Sequence, residues 1–301
     1  MEWPALFKSM ILYRSSQHRD EDTKVLVLII VPIGKTGATI WNENIRILNA
    51  HPEFHIFLSV YDSDLEFEPA ANIVETVHRS GCKAEHWAAV PLSLTSRYDY
   101  VWVIDEDISL TDFDWPLFKK IILQCRPLVI QPSVKPLSPK GRSSDWKHLR
   151  YHKVDHDAEE VEHTEVQTCF LSSKLWEVVH HRLSNMDTTS VWGLDFFWSK
   201  VAWSCRTDVR PGPLVVFSTS VIHHDFKSMN NGRCVRKCID GCKDATQEEV
   251  EKVNRLFQTN LTKLHGALQP CRQFHVISQL RSAQYRSTLS RASFPTTASA
   301  R

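Results

Sequence analysis

A buried-strand pattern that ends in three carboxylates is the feature of this 301-residue chain that most constrains its fold. Residues 98–107 read Tyr-Asp-Tyr-Val-Trp-Val-Ile-Asp-Glu-Asp. A continuous run of β-branched and aromatic residues is typical of a strand that is covered on both faces of a sheet. Open α/β sheets bind their ligands at the carboxyl ends of such strands. Asp105, Glu106 and Asp107 are therefore predicted to lie at a ligand-binding edge.

Strand and helix patterns alternate along the rest of the chain. Strands are predicted at residues 24–31, 54–60, 83–88, 100–104, 128–131, 166–171 and 214–222. Helices are predicted at residues 38–49, 69–78, 115–124, 174–183 and 246–264, with a further helical stretch that ends at 204. This alternation indicates an α/β fold with a mostly parallel central sheet and flanking helices. Residues 132–163 are predicted to form a solvated loop that contains His148, His152 and His156.

Four segments are predicted from these patterns. They are an N-terminal extension (1–23), an α/β domain (24–230), a Cys-containing segment with a C-terminal helix that packs on the core (231–277), and a disordered basic tail (278–301). The formal net charge of +1 does not indicate a strong electrostatic attraction to nucleic acid. The longest apolar run has the length of a strand, so neither a transmembrane segment nor a signal peptide is predicted.

The eight cysteines fall into two groups. Four lie in or beside apolar segments and are predicted to be inert core residues, namely Cys82, Cys125, Cys169 and Cys205. The others are Cys234, Cys238, Cys242 and Cys271. Their spacing lacks the paired C-x2-C pattern of most zinc sites, so zinc ligation and disulfide bonds both stay open. A glycosylation acceptor pattern at residues 260–262 favours a secretory setting.

Carboxylates and histidines recur where predicted strands end or helices begin. Asp105 and Asp107 follow one strand, and His223 and His224 follow the last strand. Carboxylate oxygens together with substrate phosphates are the ligands that Mg²⁺ and Mn²⁺ prefer. We expect Asp107 to be a direct metal ligand, Asp105 to act through water or a nucleoside ribose, and His223 to complete the shell. Such an ion would stabilise the charge that grows on a departing diphosphate.

Three further residues are candidates for contacts with substrate. Asp195 follows a glycine that lets substrate approach the backbone, and it is predicted to be the catalytic base; its alternative is an N-cap role. Trp192 is predicted to stack on a sugar ring or the donor, and its alternative is a place in the core. Asp62, after the second strand, is predicted to contact a nucleobase or ribose, and its alternative is an acid in a turn without a ligand.

Four sequence blocks together resemble one known family. They are the block at 98–107, Gln-Pro at 131–132, Trp-Gly-Leu-Asp at 192–195 and Val-Ile-His at 221–223. In this order they resemble the domain of unknown function 707 family, which is similar to nucleotide-diphospho-sugar transferases of the GT-A fold. The resemblance implies a metal site of the D-x-D type at Asp105 and Asp107 and a pocket histidine at His223. It also aligns the pair Tyr61-Asp62 with a block of that family.

The expected function is transfer of a hexosyl or related group from a nucleoside-diphosphate sugar, with Mn²⁺ or Mg²⁺, to a glycan, protein or small-molecule acceptor. The family resemblance favours the Golgi or secretory lumen. One alternative is a catalytically inactive carbohydrate- or nucleotide-binding protein, because residues 88–97 form a shorter connection than the family has. A second alternative is a Mg²⁺-dependent phosphohydrolase with Asp105 as nucleophile and Asp107 as acid/base.

Overall fold

A computed structural model describes residues 23–137, 149–185, 191, 193–207 and 210–224. The predicted N-terminal extension, the cysteines from 234 onward, the helix at 246–264 and the basic tail therefore lie outside the described residues. So do His148 and Trp192. The boundaries of the predicted segments stay predictions.

Strands and helices alternate through the described chain. The strands are β1 (Val27–Ile33), β2 (Phe54–Val60), β3 (Ile73–His78), β4 (Tyr100–Ile104), β5 (Ile108–Ser109), β6 (Val129–Pro136), β7 (Ala158–Glu160), β8 (Thr168–Ser172) and β9 (Leu214–His223). The helices are α1 (Lys35–Asn49), α2 (Lys83–Ala88), α3 (Leu92–Thr95), α4 (Trp115–Cys125), α5 (Ser173–Asn185) and α6 (Leu194–Ser204). The predicted α/β class is confirmed.

One mixed sheet organises these elements. Its strand order is β3-β2-β1-β4-β8-β6-β9-β5, and β7 pairs with β9. The strands β3, β2, β1 and β4 are parallel to one another, whereas β8 runs antiparallel to both β4 and β6. The short strand β5 pairs antiparallel with β9, so that Ile108 lies opposite His223. This pairing brings the end of β9 beside the turn that follows β4.

Both faces of the sheet are covered. Residues of β1, β2 and β4 are almost completely excluded from solvent, as their continuous apolar sequences predict. On one face α1 contributes Trp41, Ile45 and Leu48, which share one side of the helix because they are spaced by four and three residues. On the other face α2, α5 and α6 contribute Trp87, Trp176 and Trp198 to a second core. Full burial of an aliphatic side chain such as that of Leu48 contributes about 1.5–3 kcal/mol.

Two predicted elements have the wrong type. Residues 69–78, predicted as a helix, contain the strand β3, and residues 83–88, predicted as a strand, form the helix α2. The strand β3 is an edge strand with mostly exposed side chains, so it lacks the apolar pattern of a buried strand. The helix α2 begins with a capping box, in which Glu85 Oε2 accepts a hydrogen bond from the Cys82 backbone N–H at 2.7 Å.

The predicted solvated loop at 132–163 is also partly wrong. The strand β6 continues to Pro136 because β9 pairs with it, and β7 forms within the same stretch. The side chain of His156 is 4% exposed, and its Nε2 lies 2.5 Å from Glu159 Oε1. His152 packs against Phe217, with ring centroids 4.6 Å apart. These two histidines therefore contribute to packing beside β7 and β9.

The cysteine prediction is right for two residues and wrong for two. Cys125 and Cys169 are buried free thiols, and burial raises the pKa of the Cys125 thiol to about 11. Cys82 and Cys205, in contrast, are disulfide-bonded. Cys82 caps the start of α2, and Cys205 follows the last residue of α6. Disulfide bonds are typical of proteins that fold in an oxidising compartment.

Reduction of the disulfides at Cys82 and Cys205 is expected to lower the free energy of unfolding by about 2–4 kcal/mol. Thermal unfolding with and without a reductant measures this loss. The reductant should have a smaller effect on a Cys82→Ala/Cys205→Ala variant, which has already lost these bonds. An equal effect on both proteins would show that these two cysteines do not contribute to the stability.

Among the helices in the described ranges, none combines the length and the apolar character that crossing a bilayer requires.

Candidate functional site

The three acids that follow β4 turn toward three different partners. Asp105 forms an ion pair with Lys83, Glu106 accepts hydrogen bonds from Gly34 and Tyr61, and Asp107 lies beside His223. The three therefore do not form a single acidic cluster. Each has its own chemical environment within one turn.

Asp107 and His223 come together as the sequence predicts. The distance between Asp107 Oδ2 and His223 Nε2 is 3.5 Å, and both residues are 7% exposed. Two backbone features hold them there. Ile108 lies opposite His223 in the pairing of β5 with β9, and the backbone N–H of His224 donates to the Asp107 carbonyl at 2.9 Å. The metal role predicted for both residues stays a prediction.

The donor atoms of this pair fit a divalent ion. Two atoms that each lie about 2.1 Å from one ion, at neighbouring coordination positions, are about 3.0–3.5 Å apart. No group of three or more histidine, cysteine or acidic side chains suited to a metal occurs within the part of the chain that the structure describes. Asp105 does not add a third ligand, because its carboxylate is paired with Lys83. Mg²⁺ commonly uses few protein ligands and completes its shell with water and substrate phosphates.

Glu106, to which the sequence analysis assigned no role, connects three strand ends. Its Oε2 accepts from the Gly34 backbone N–H at 2.7 Å, and its Oε1 accepts from the Tyr61 hydroxyl at 2.5 Å. Burial raises the pKa of Glu106, and the neighbouring charge of Asp107 raises it further. Burial and the bond to Glu106 also raise the pKa of Tyr61. Because Gly34 follows β1 and Tyr61 follows β2, Glu106 fixes the relative positions of the ends of β1, β2 and β4.

The side chain of Asp62, which follows β2, contacts the start of α1. Its Oδ2 accepts a hydrogen bond from the Lys35 backbone N–H at 2.7 Å. An acid at a helix N-terminus satisfies a backbone donor and interacts favourably with the helix dipole. Asp62 thus has a structural partner, and its predicted contact with a nucleobase or ribose stays a prediction.

Asp195 lies in the first turn of α6 with a buried carboxyl group. The N-cap of this helix is Gly193, which adopts a φ of 84°, so the alternative that Asp195 is the N-cap is wrong. Asp195 is 8% exposed, and its Oδ1 accepts no hydrogen bond from any residue that the structure describes. Burial raises the pKa of Asp195 to about 6, although backbone N–H groups of the helix start and the charge of Lys83 oppose the rise. Asp195 therefore titrates closer to neutral pH than an ordinary aspartate.

Lys83 connects the Asp105 and Asp195 parts of the site. Its ammonium pairs with Asp105, donates to the Val166 carbonyl at 3.1 Å, and lies 5.2 Å from the Trp87 ring centroid. Its charge also acts on Asp195. Lys83 is absent from the residues predicted for the site, because the local pattern predicts a strand here, in which its side chain has no predictable partner. The capping box of Cys82 and Glu85 is the signal that could have located the helix start.

Comparisons with known proteins show the family of the chain and a similarity to solved structures. No curated protein matches the chain. A crystal structure of GalNAc-T7 with UDP, GalNAc and Mn²⁺ is similar over 67% of this chain, with 11% sequence identity and a TM-score of 0.47. The chain spans 44% of the length of that structure. The family described as "Protein of unknown function (DUF707)" matches residues 6–268. Because this match covers most of the sequence, the chain belongs to the DUF707 family, as the resemblance indicated.

Proposed function

We propose that this protein is a metal-dependent glycosyltransferase that moves a sugar from a nucleoside-diphosphate donor to an acceptor. The observation that carries the proposal is the 3.5 Å distance between Asp107 Oδ2 and His223 Nε2 at the end of β4. A buried carboxylate and an imidazole at this spacing would occupy two of the about six positions around Mn²⁺ or Mg²⁺. The other positions are left for water and for the phosphate oxygens of a donor.

The acids at the strand ends then have distinct roles. Asp107 and His223 would hold the ion, and Asp105 would contact it through water or bind the ribose of the donor. A bound ion supplies positive charge where negative charge grows on the leaving diphosphate. Asp62 contacts the nucleobase or ribose, and Trp192 stacks on the donor or its sugar.

Asp195 acts as the general base. The acceptor hydroxyl must lose its proton as it attacks the sugar carbon, and a carboxylate with a pKa of about 6 is mostly ionised at neutral pH. Its Oδ1 has no hydrogen-bond donor among the described residues, which leaves that atom available for a hydroxyl proton.

Binding of UDP and GDP to the wild-type protein is expected to require Mn²⁺, and Asp107→Asn is expected to weaken Mn²⁺ binding at least about tenfold. The loss of one anionic ligand from a small set is the physical reason. Isothermal titration calorimetry with Mn²⁺, UDP and GDP measures both effects. Asp112→Asn is the matched control, because this acid forms a partly exposed pair with Lys135. Absence of any nucleotide binding by well-folded wild-type protein with Mn²⁺ present contradicts the proposal.

A Mg²⁺-dependent phosphohydrolase is a second candidate, and one observation favours it. A cation beside a nucleophilic carboxylate could hold a phosphate oxygen, and Lys83 lies beside Asp105. This reading leaves Asp195 and His223 without a role. Phosphatase activity that disappears in Asp105→Asn would support it over sugar transfer. Nucleotide binding without any turnover of donor sugars would instead support an inactive binding protein.

A further inference from the structure

The ammonium group of Lys83 is held in a fixed position beside Asp105. Its side chain is 21% exposed and that of Asp105 is 27% exposed, so the pair is partly shielded from water. Besides Asp105, the ammonium contacts the Val166 carbonyl and approaches the face of Trp87. A lysine with an anionic, a carbonyl and an aromatic partner is held in one place more firmly than a surface lysine.

The helix that carries Lys83 is anchored at its start. Cys82, the residue before Lys83, is disulfide-bonded, and its backbone N–H donates to Glu85. His86 Nδ1 lies 2.7 Å from the hydroxyl of Ser59, which is on β2. These contacts fix the first turn of α2 against the sheet. The position of the Lys83 ammonium is therefore set by the fold.

The charges of the site divide into two halves. Lys83 neutralises Asp105 on one side, whereas Asp107 and His223 form the proposed ion site on the other. Without the charge of Lys83, the Asp105 carboxylate would be drawn, like that of Asp107, to a divalent ion, because opposite charges at short range attract strongly in a partly buried site. An ion held by both would have fewer positions left for donor phosphates.

We infer that Lys83 is a positioning residue whose ammonium keeps the Asp105 carboxylate out of the inner coordination shell of the ion. Asp105 is thereby kept for water or the ribose, and the ion is held by Asp107 and His223. This inference rests on the proposed function only in the choice of those two ligands. It assigns Lys83 an effect on metal affinity that a purely structural lysine would not have.

Removal of the Lys83 charge is expected to make the protein bind Mn²⁺ alone about tenfold more tightly, because Asp105 can then join the ion. The test uses the full-length chain without nucleotide, and electron paramagnetic resonance reports free Mn²⁺. Lys83→Met keeps the aliphatic stem against Trp87, and Lys83→Gln is a second charge-free variant in case the first folds poorly. Lys83→Arg should restore the affinity of the wild type.

Two further proteins make the test specific. Lys83→Met/Asp105→Asn should lose the gain in affinity, since the gain depends on the Asp105 carboxylate. Lys35→Gln, which removes an exposed lysine paired with Asp64, should leave Mn²⁺ affinity unchanged. A gain that persists without Asp105, or an equal gain in Lys35→Gln, would mean that Lys83 acts only through the general charge of the protein and would overturn the inference.

The remaining outcomes separate this inference from the proposed function. If the wild type binds Mn²⁺ and Lys83→Met binds it equally or more weakly, the inference fails and the proposed function stands. If the Mn²⁺ affinities change as expected but neither UDP nor GDP binds with Mn²⁺ present, the inference stands and the proposed function fails. If neither wild type nor folded variants bind Mn²⁺, both fail.

Discussion

Asp195→Asn is expected to reduce Mn²⁺-dependent turnover of the donor sugar at least about 100-fold while nucleotide binding stays unchanged. The amide has almost the shape of the carboxylate but cannot accept the proton of an attacking hydroxyl. Asp195 is 8% exposed, so no bulk buffer can readily replace it. Release of nucleoside diphosphate from a panel of donor sugars measures turnover, and calorimetry measures binding.

The control for this variant is Glu43→Gln, which removes an exposed acid paired with Arg46 on α1. It should retain turnover and binding. The wild-type rate should rise with pH through about 6, where Asp195 loses its proton, and this rise should be absent in the Asn variant. Full turnover by a folded Asp195→Asn protein would exclude Asp195 as the base.

The same substitution has a second effect, on stability, whose sign follows from the pKa. Burial raises the pKa of Asp195 to about 6, above the value of about 3.9 in an unfolded chain. The folded protein therefore binds this proton more tightly, and its free energy of unfolding falls as pH rises from about 4 to about 6. Relative to the wild type, Asp195→Asn should gain about 2–3 kcal/mol between pH 4 and pH 7, as measured by urea unfolding. A loss of stability over this range would contradict the role of burial.

The central strands could be predicted from the sequence because a strand that is covered on both faces consists of a nearly continuous run of apolar residues. The predicted bounds of β2 and β4 agree with the structure; β4 is a continuous run of apolar and aromatic residues, and β2 is interrupted only by His55 and Ser59. The edge strand β3 carries mostly exposed side chains, and α2 is only six residues long. Neither element has an apolar pattern long enough to distinguish the helical period from the strand period. For this reason β3 is predicted as a helix and α2 as a strand.

The site could be predicted as a location but not as a set of contacts. Parallel strands end at one edge, so the acids after β4 and the residues after β2 are predicted to lie at the same edge of the sheet. The partners of the individual acids depend on register and on helix starts. Glu106 lies 72 residues from Gly34 in sequence, and Asp107 meets His223 only because of the pairing of β5 with β9. No local pattern contains such long-range information.

Gly37→Val is expected to lower the free energy of unfolding by about 3 kcal/mol and to weaken Mn²⁺ binding more than tenfold. Gly37 is buried in the first turn of α1, where an ideal Cβ atom would lie 2.6 Å from Glu106 Cβ and 3.0 Å from the Glu106 carbonyl oxygen. The substitution gains less than about 1 kcal/mol of helix propensity. Relief of the clash requires movement of α1 or of the turn at Glu106, and Asp107 is the next residue in that turn. Urea unfolding and Mn²⁺ titration measure the two effects.

Thr36→Val is the matched control, because it introduces the same side chain one residue earlier in the same turn of α1. Thr36 is exposed, so the new side chain meets no buried neighbour. It should change stability by less than about 0.5 kcal/mol and leave Mn²⁺ affinity intact. Gly37→Ala should have an intermediate effect, since the single methyl group meets Glu106 but has no further branches. If Gly37→Val is destabilised while Mn²⁺ affinity is unchanged, α1 moves and the turn does not, and Glu106 then does not transmit the position of α1 to Asp107. If both quantities fall together, the close packing of Gly37 on Glu106 is part of what holds Asp107 beside His223.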